Sequence, residues 1–164
     1  MSNAAKLVKN NLDKLRKSLG ALMVEDVLVG IPQQDDQRTD DSPINNATIG
    51  YIMDHGAPEA NIPAREWLRP GISNAKPRIV KQLEEGARRA LSSETKSVAE
   101  TLERAGLIAQ NAVRAYINSG IGEALAEVTL AARRRRGRTG TKQLVDTGQF
   151  RNSVTYVLRK KDKT

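Results

Sequence analysis

His55 is the chain's single histidine, in "MDHGAPE", with Asp54 beside it and Glu59 four residues on. As a general base it would need a nucleophile or a polarised water within hydrogen-bond reach. Ser119, Thr147 and Ser153 are candidates by residue type, but no spacing in the chain brings any of them to the histidine. A metal would want a second histidine or a carboxylate at helical spacing, and Asp54, next in sequence, projects elsewhere. "GRTGTK" (137–142) is a superficial echo of a phosphate loop, without the preceding strand or the required spacing. There is no cysteine, hence no thiol nucleophile, thiolate metal site or disulfide framework. These residues predict a protein that is not an enzyme and carries no cofactor or metal, with His55 closing a helix.

The other group able to do chemistry is cationic. "RRRRGRTGTK" (133–142) holds Arg133, Arg134, Arg135, Arg136 and Arg138, with nothing apolar to bury. Guanidinium pairs bidentately with phosphate, so the run could grip a nucleic acid backbone. It could equally dock on an acidic protein face, or stand as a solvated loop whose like charges repel. No aromatic is interleaved to stack bases, which ranks direct nucleic acid recognition below the other two readings. The charge is unevenly spread. From Ala131 onward there are 11 Lys/Arg against Asp146 and Asp162, leaving 16 bases and 17 acids before it. A near-neutral body therefore carries a strongly basic last fifth.

The remaining composition bounds the scaffold. With 164 residues and 38% apolar content, one domain with a real core is expected. Only five aromatics are present, so Leu, Ile, Val and Ala must fill that core, which suits helix packing. No apolar run approaches the roughly 20 residues that span a bilayer, and "MSNAAKLVKNNLDKLRK" lacks a signal-peptide core. The expectation is a soluble, intracellular protein.

Leu7, Val8, Leu12, Leu15 and Leu19 repeat at helical spacing, and Gly20 can end that helix. Residues 24–31 read as a buried β-branched strand stopped by Pro32, with Gly30 as a candidate bulge. The acidic "QQDDQRTDDSP" (33–43) follows as a mobile, solvated loop. "INNATIGYIMDHG" is a short helix, capped by Asn45 or Asn46 and ended by Gly56, with Ile49, Ile52 and Met53 inward and Tyr51 at the margin. Two longer helices cover 73–91 and about 94–119. Pro77 belongs to the first turn of the former, or kinks it, and Gly120 closes the latter. Gly86 and Gly106 weaken their helices by roughly 1 kcal/mol each relative to Ala. "GEALAEVTLAA" is a further helical piece, and the second mobile loop spans 133–142. Asp146 or Thr147 caps a short turn through Phe150, and Ser153 to Leu158 alternates as a strand whose best partner is 24–31. The fold class is α+β, with helices packed on a small antiparallel sheet that includes the C-terminal strand.

"NIPAREWLRPGI" (61–72) holds the single tryptophan between two prolines and two arginines, and reads as neither helix nor strand. Pro63 and Pro70 stiffen it, Arg65 and Arg69 offer forked donors, and Trp67 is a large apolar anchor. Trp67 either plugs the end of its own core or faces a partner.

Two stretches together resemble the tail-completion, or minor tail Z-like, virion morphogenesis proteins of tailed phages and prophages. "INNATIGYIMDHGAPEANIPAREWLRPGI" (44–72) is similar to their Gly-x-Pro and Asn-Ile-Pro-Ala-Arg segment, and "LVDTGQFRNSVTYVLRK" (144–160) to their closing Leu-x-Asp-Thr-Gly turn and strand. "VLVGIP" (27–32) matches their first strand, while 73–130 matches by pattern alone. The chain departs at Met53-Asp54-His55, where many relatives carry His-Glu, and at Glu66-Trp67, where Pro-Phe is common. The resemblance implies a structural protein of the virion neck, assembled in the bacterial cytoplasm. It would form a ring, taken as a hexamer, that completes the tail and meets tail terminator, tail-tube or neck connector proteins. It implies no membrane partner and, at most, non-specific contact with passing DNA. On that reading Arg65, Trp67, Arg69, Phe150 and Arg151 form the subunit or partner interface, and the 133–138 arginines face a partner or DNA.

Overall fold

The computed structural model describes residues 24–40, 42–91 and 97–161, together with Asp13, Arg16 and Gly20. The helix expected over 7–19 lies, those positions apart, outside the described residues. Among the described residues two strands, β1 (Glu25–Gly30) and β2 (Thr155–Lys160), accompany five α-helices longer than four residues. These are α1 (Asn46–His55), α2 (Leu68–Leu91), α3 (Ser97–Ser119), α4 (Glu127–Arg135) and α5 (Gln149–Ser153). The α+β reading holds. β1 and β2 pair antiparallel, with Val27 opposite Leu158, Leu28 opposite Val157 and Val29 opposite Tyr156. The first and last strands thus form one small sheet.

Among the described elements α2 and α3 form the largest contact, an antiparallel hairpin whose closeness depends on glycine. A Cβ built on Gly71 would lie 2.8 Å from the Cα of Val113, and one on Gly86 would lie 2.1 Å from the Thr101 side chain. Gly106 does the same for the sheet, since its Cβ would lie 2.3 Å from the Tyr156 ring. The propensity loss at Gly86 and Gly106 is therefore offset by two close approaches that no larger residue permits. Val98, Leu102, Ala105, Ala109 and Ala112, three or four residues apart along α3, are all buried.

Among the described residues two apolar clusters make the core. Ala90, Val98 and Leu102 gather with Val27, Leu83 and Leu158 at the hairpin end. Trp67, Val113, Ile117, Ile121, Phe150 and Val154 form the other, larger one. Aliphatic residues supply most of both, as the composition requires, but the two buried aromatic rings meet at the centre of the second.

Several boundaries differ from expectation for local reasons. α2 starts at Leu68, so the end of "NIPAREWLRPGI" is helical. Pro70 stands in the first turn, where an N–H would have no intrahelical acceptor, and it helps start the helix. Pro77 is then well inside α2 rather than at its beginning, and leaves the Ser73 carbonyl without its usual donor. α4 continues through Arg135, so the expected arginine loop begins as helix. Loop 33–43 is not simply solvated. Asp36 is buried, its carbonyl accepts from Asn46 N at 2.8 Å and its carboxylate from Asn45 Nδ2 at 2.8 Å. α1 is capped as expected, with Asn45 Oδ1 accepting from Thr48 N at 2.8 Å. Among the described residues no helix is long and apolar enough to cross a membrane.

Helix propensity alone says that Gly86→Ala stabilises α2; the packing says the reverse. We expect Gly86→Ala to lower stability by about 1–3 kcal/mol, measured as a fall in the urea midpoint at unchanged slope.

Candidate functional site

The segment around Trp67 is built as a tight return along α1. Gly56 ends α1 in the left-handed region (φ 77°), and its N–H caps Ile52 O at 2.7 Å. A Cβ there would lie 2.8 Å from Ala64 N, so conformation and space both require glycine. Pro58–Ala60 make one 3₁₀ turn, Asn61 turns the chain back (φ 52°), and Ala57 and Ile62 exchange backbone hydrogen bonds at 2.8 and 3.0 Å. The returning segment then occupies the C-terminal end of α1. Arg65 N donates to Met53 O at 2.6 Å and Trp67 N to Asp54 Oδ1 at 3.2 Å.

Trp67 faces its own core. It is 5% exposed, its Nε1 donates to Gly50 O at 2.9 Å, and its ring meets Phe150 edge-on with centroids 5.1 Å apart. Gly50 leaves the room, since a Cβ on it would press within 3.1 Å of the indole. Phe150 is equally buried. The expected interface role of Trp67 and Phe150 is therefore corrected: both rings are committed to the interior, where their apolar area and the indole N–H are satisfied. Arg65 is half-buried, with Nε enclosed and unpartnered among the described residues. Arg151 is half-buried too, donating to Asn118 Oδ1 at 3.1 Å and to Asn152 Oδ1. Of the five expected interface residues only Arg69 is exposed.

The arginine run divides the same way. Arg133 is 7% exposed, and its Nη1 donates to the carbonyls of Gly140 (2.8 Å), Lys142 (2.9 Å) and Val145 (3.1 Å). Its Nε lies 3.5 Å from Asp146 Oδ1. Two N–H bonds thus serve three carbonyls, and one guanidinium organises the turn that carries Asp-Thr-Gly. Arg133 cannot face DNA or a partner. Arg134 pairs with Glu127 and Arg138 with Asp146. Arg135 and Arg136 remain exposed, and their side chains make no hydrogen bond or ion pair among the described residues. Arg38, Asp40, Ser42, Arg136, Arg138 and Asp146 line a polar depression of about 490 Å³, in which Arg136 is the guanidinium without a carboxylate among the described residues.

Gly148 is left-handed (φ 82°) and stands as the N-cap of α5, a place expected for Asp146 or Thr147. Thr147 Oγ1 still accepts weakly from Gln149 N at 3.3 Å, while Asp146 is taken by the arginines. Three polar residues that sequence reasoning passed over hold this region. Arg114 donates to Val154 O and Asn152 O, both at 2.9 Å, and ties α3 to the end of α5. Gln143, buried, bridges Ile121 N and Glu123 O. Arg38 clamps Asp40 and donates to Asn46 Oδ1 at 2.9 Å. None lies in a periodic pattern or motif, so no sequence signal marks them.

His55 closes α1, stacks on exposed Tyr51 at 4.3 Å, and donates from Nδ1 to Tyr51 O at 3.0 Å. The candidate nucleophiles are engaged elsewhere: Ser153 donates to Phe150 O, Ser119 to Tyr116 O, and Thr147 accepts from Gln149. Among the described residues no group of three His, Asp or Glu is placed to hold a metal ion.

Two outcomes test this division. Arg133→Ala removes the one buried guanidinium that serves three loop carbonyls and should lower stability by about 2–4 kcal/mol, whereas Arg135→Ala and Arg136→Ala should stay within about 0.5 kcal/mol; thermal melts compare them. The hydrogen bond from Arg38 holds the Asp40 carboxyl below its ordinary value of 3.8. The clamp is therefore complete above that value and is lost as pH falls through the lowered folded-state pKa. A carboxyl-carbon titration should give Asp40 a midpoint below 3.8 that returns to the ordinary value in Arg38→Ala. No protein-family model matches the chain, and no curated protein or solved structure does so either.

Proposed function

We propose that this chain is a structural virion protein of a tailed phage or prophage, completing the head-proximal end of the tail as one subunit of a ring. The observation that supports it most is the meeting of the two motif-bearing stretches. Residues 44–72 and 144–160, far apart in sequence, contribute Trp67 and Phe150 to one edge-on pair in one core. A shared structural centre is a physical reason for both motifs to occur in one chain. It also assigns them to folding rather than to subunit contact.

The contact surfaces of such a ring must then lie elsewhere, and contacts around a rotation axis are head-to-tail between unlike faces. One candidate face is the outer side of the sheet. Leu28 and Val157 stand opposite each other there, turned away from α3, and share a shallow apolar depression with Ile31 and Pro32. Leu28 is 38% exposed. A second candidate surface is Arg135 with Arg136, suited to an acidic surface of a terminator, tail-tube or connector protein.

Direct binding of nucleic acid is the second reading, favoured by those two exposed guanidiniums. Two phosphate contacts release about two counterions, a salt slope near −2. DNA held by 6–10 contacts behaves far more steeply, so these two arginines by themselves do not make a nucleic acid clamp.

Light scattering should find a ring-sized species, either alone or on mixing with tail-tube or terminator protein. Leu28→Asp with Val157→Asp should return it to monomer without loss of helical signal. A wild-type chain that is strictly monomeric and binds neither protein would defeat the proposal. A DNA affinity with a salt slope well beyond −2 would revive the second reading.

A further inference from the structure

The polar depression beside α4 is walled by segments far apart in sequence. Arg38 and Asp40 come from the loop before α1, and Arg136, Arg138 and Asp146 from the end of α4 and the turn before α5. Two of its guanidiniums are matched one for one: Arg38 grips Asp40 through Nε and Nη2, and Arg138 pairs with Asp146. Arg136 is exposed, with no carboxylate partner among the described residues. The site is open to solvent, since the side chains of Asp40, Arg138 and Asp146 keep 34%, 31% and 33% of their surface exposed. A recess of about 190 Å³ adjoins it, sharing Arg38 and Asp146 and adding Ile49, Met53, Leu144 and Phe150 to its wall. We propose that the depression and its recess are a docking site for an acidic peptide segment of a partner protein. One carboxylate of that segment meets Arg136, and a neighbouring aliphatic side chain enters the recess.

Charge sets the first requirement. Three guanidiniums and two carboxylates in the wall leave one positive charge, which a single carboxylate neutralises. A phosphomonoester brings nearly two negative charges and a nucleic acid strand a row of them, against Asp40 and Asp146. Size sets the second. A dry apolar cavity of roughly 150 Å³ takes a benzene-sized group, so the recess suits a side chain the size of leucine or methionine. A peptide carries both features within a few residues of each other.

The walls are also built before any ligand arrives. The N–H groups of Arg136 and Arg138 donate to the Arg133 carbonyl at 2.9 and 3.0 Å, which fixes the backbone bearing both guanidiniums. Across the depression Arg38 Nη1 donates to Asn46 Oδ1 at 2.9 Å, and Thr39 N donates to Gln149 Oε1 at 2.9 Å. Those bonds tie this part of the loop to α1 and α5, so little backbone entropy is lost on binding. Arg135 is as exposed as Arg136 but does not line the depression, which separates the two arginines. The inference shares with the tail-completion reading only the premise that Arg136 meets a protein. The two fail separately: a chain that forms no ring can still bind the peptide, and a ring can form from a chain that does not.

The test uses the full chain and three capped peptides in which a leucine stands one, two or three residues from a single glutamate. At least one should bind in a calorimetric titration and shift the backbone amides of Arg38, Asp40, Met53 and Arg136. In that peptide, glutamine for the glutamate or alanine for the leucine should each weaken binding at least about tenfold. Arg136→Gln should cost about the same factor, and Arg135→Gln should leave the affinity unchanged; thermal melts establish that both variants are folded. Equal losses in the two variants would reduce the effect to net charge and overturn the proposal. Inorganic phosphate or a short single-stranded DNA that displaces the peptide at equal or lower concentration would assign the site to phosphate and overturn it. No binding of any of the three peptides to the full chain would overturn it as well.

Discussion

The indole of Trp67 is the constraint on which the rest of the described structure depends. Its ring enters between α1 and α5, its N–H is taken by the Gly50 carbonyl, and its edge meets Phe150. Three chain segments are thereby held at one point: the middle of α1, the return through Arg65, and, far along the chain, the turn leading to β2. A buried indole without an acceptor would lose the desolvation energy of its N–H, so the helix carbonyl is as necessary as the apolar contact. Gly50 serves both, by offering its carbonyl and by leaving the space a Cβ would fill.

Around that point the polar groups act as structure rather than as reactive chemistry. Arg133 gathers three carbonyls of the loop before α5, Arg114 takes two carbonyls at the far end of α5, and Gln143 joins the same loop to the residues after α3. Irregular backbone cannot satisfy its own carbonyls as helices and sheets do, so a side chain with several donors must do it. Arginine suits this because it stays charged and presents its donors in a fixed plane. The consequence for function is a reduction in available charge. Of five clustered arginines, one is buried, two are paired with carboxylates, and two stay exposed with no such partner among the described residues.

That reduction changes how the surface reads. A row of five exposed guanidiniums would suggest a polyanion; two, on a surface that elsewhere exposes an apolar strip on the sheet's outer face, fit the protein partner proposed above. The interior gives a reason for the two motifs resembling those of tail-completion proteins to occur together. The exterior, where Leu28, Val157, Arg135 and Arg136 lie, is where an assembly would have to be made.

Much of the scaffold is legible in the residues. Helical periodicity marks α1 and α3 with their caps, and alternation in 153–158 marks a terminal strand and names its partner. These are signals from neighbours in sequence, where one period decides which side chains share a face. The arginines mislead for the opposite reason. Whether Arg133 is solvated or buried depends on Gly140, Lys142, Val145 and Asp146 folding around it, and no pattern in "RRRR" separates the first from the other three. Gly86 and Gly106 look like weak points because propensity sees only their own helix, whereas their value lies in Thr101 and Tyr156 across the contact. Trp67 is open between core and partner for the same reason. The sequence by itself determined the types and order of the described elements, because these follow from local periodicity and capping, and it paired the first and last strands because each was the other's best available partner. Only the tertiary structure decided which charges and rings remained outside, because burial is a property of what packs against a residue and not of the residue itself.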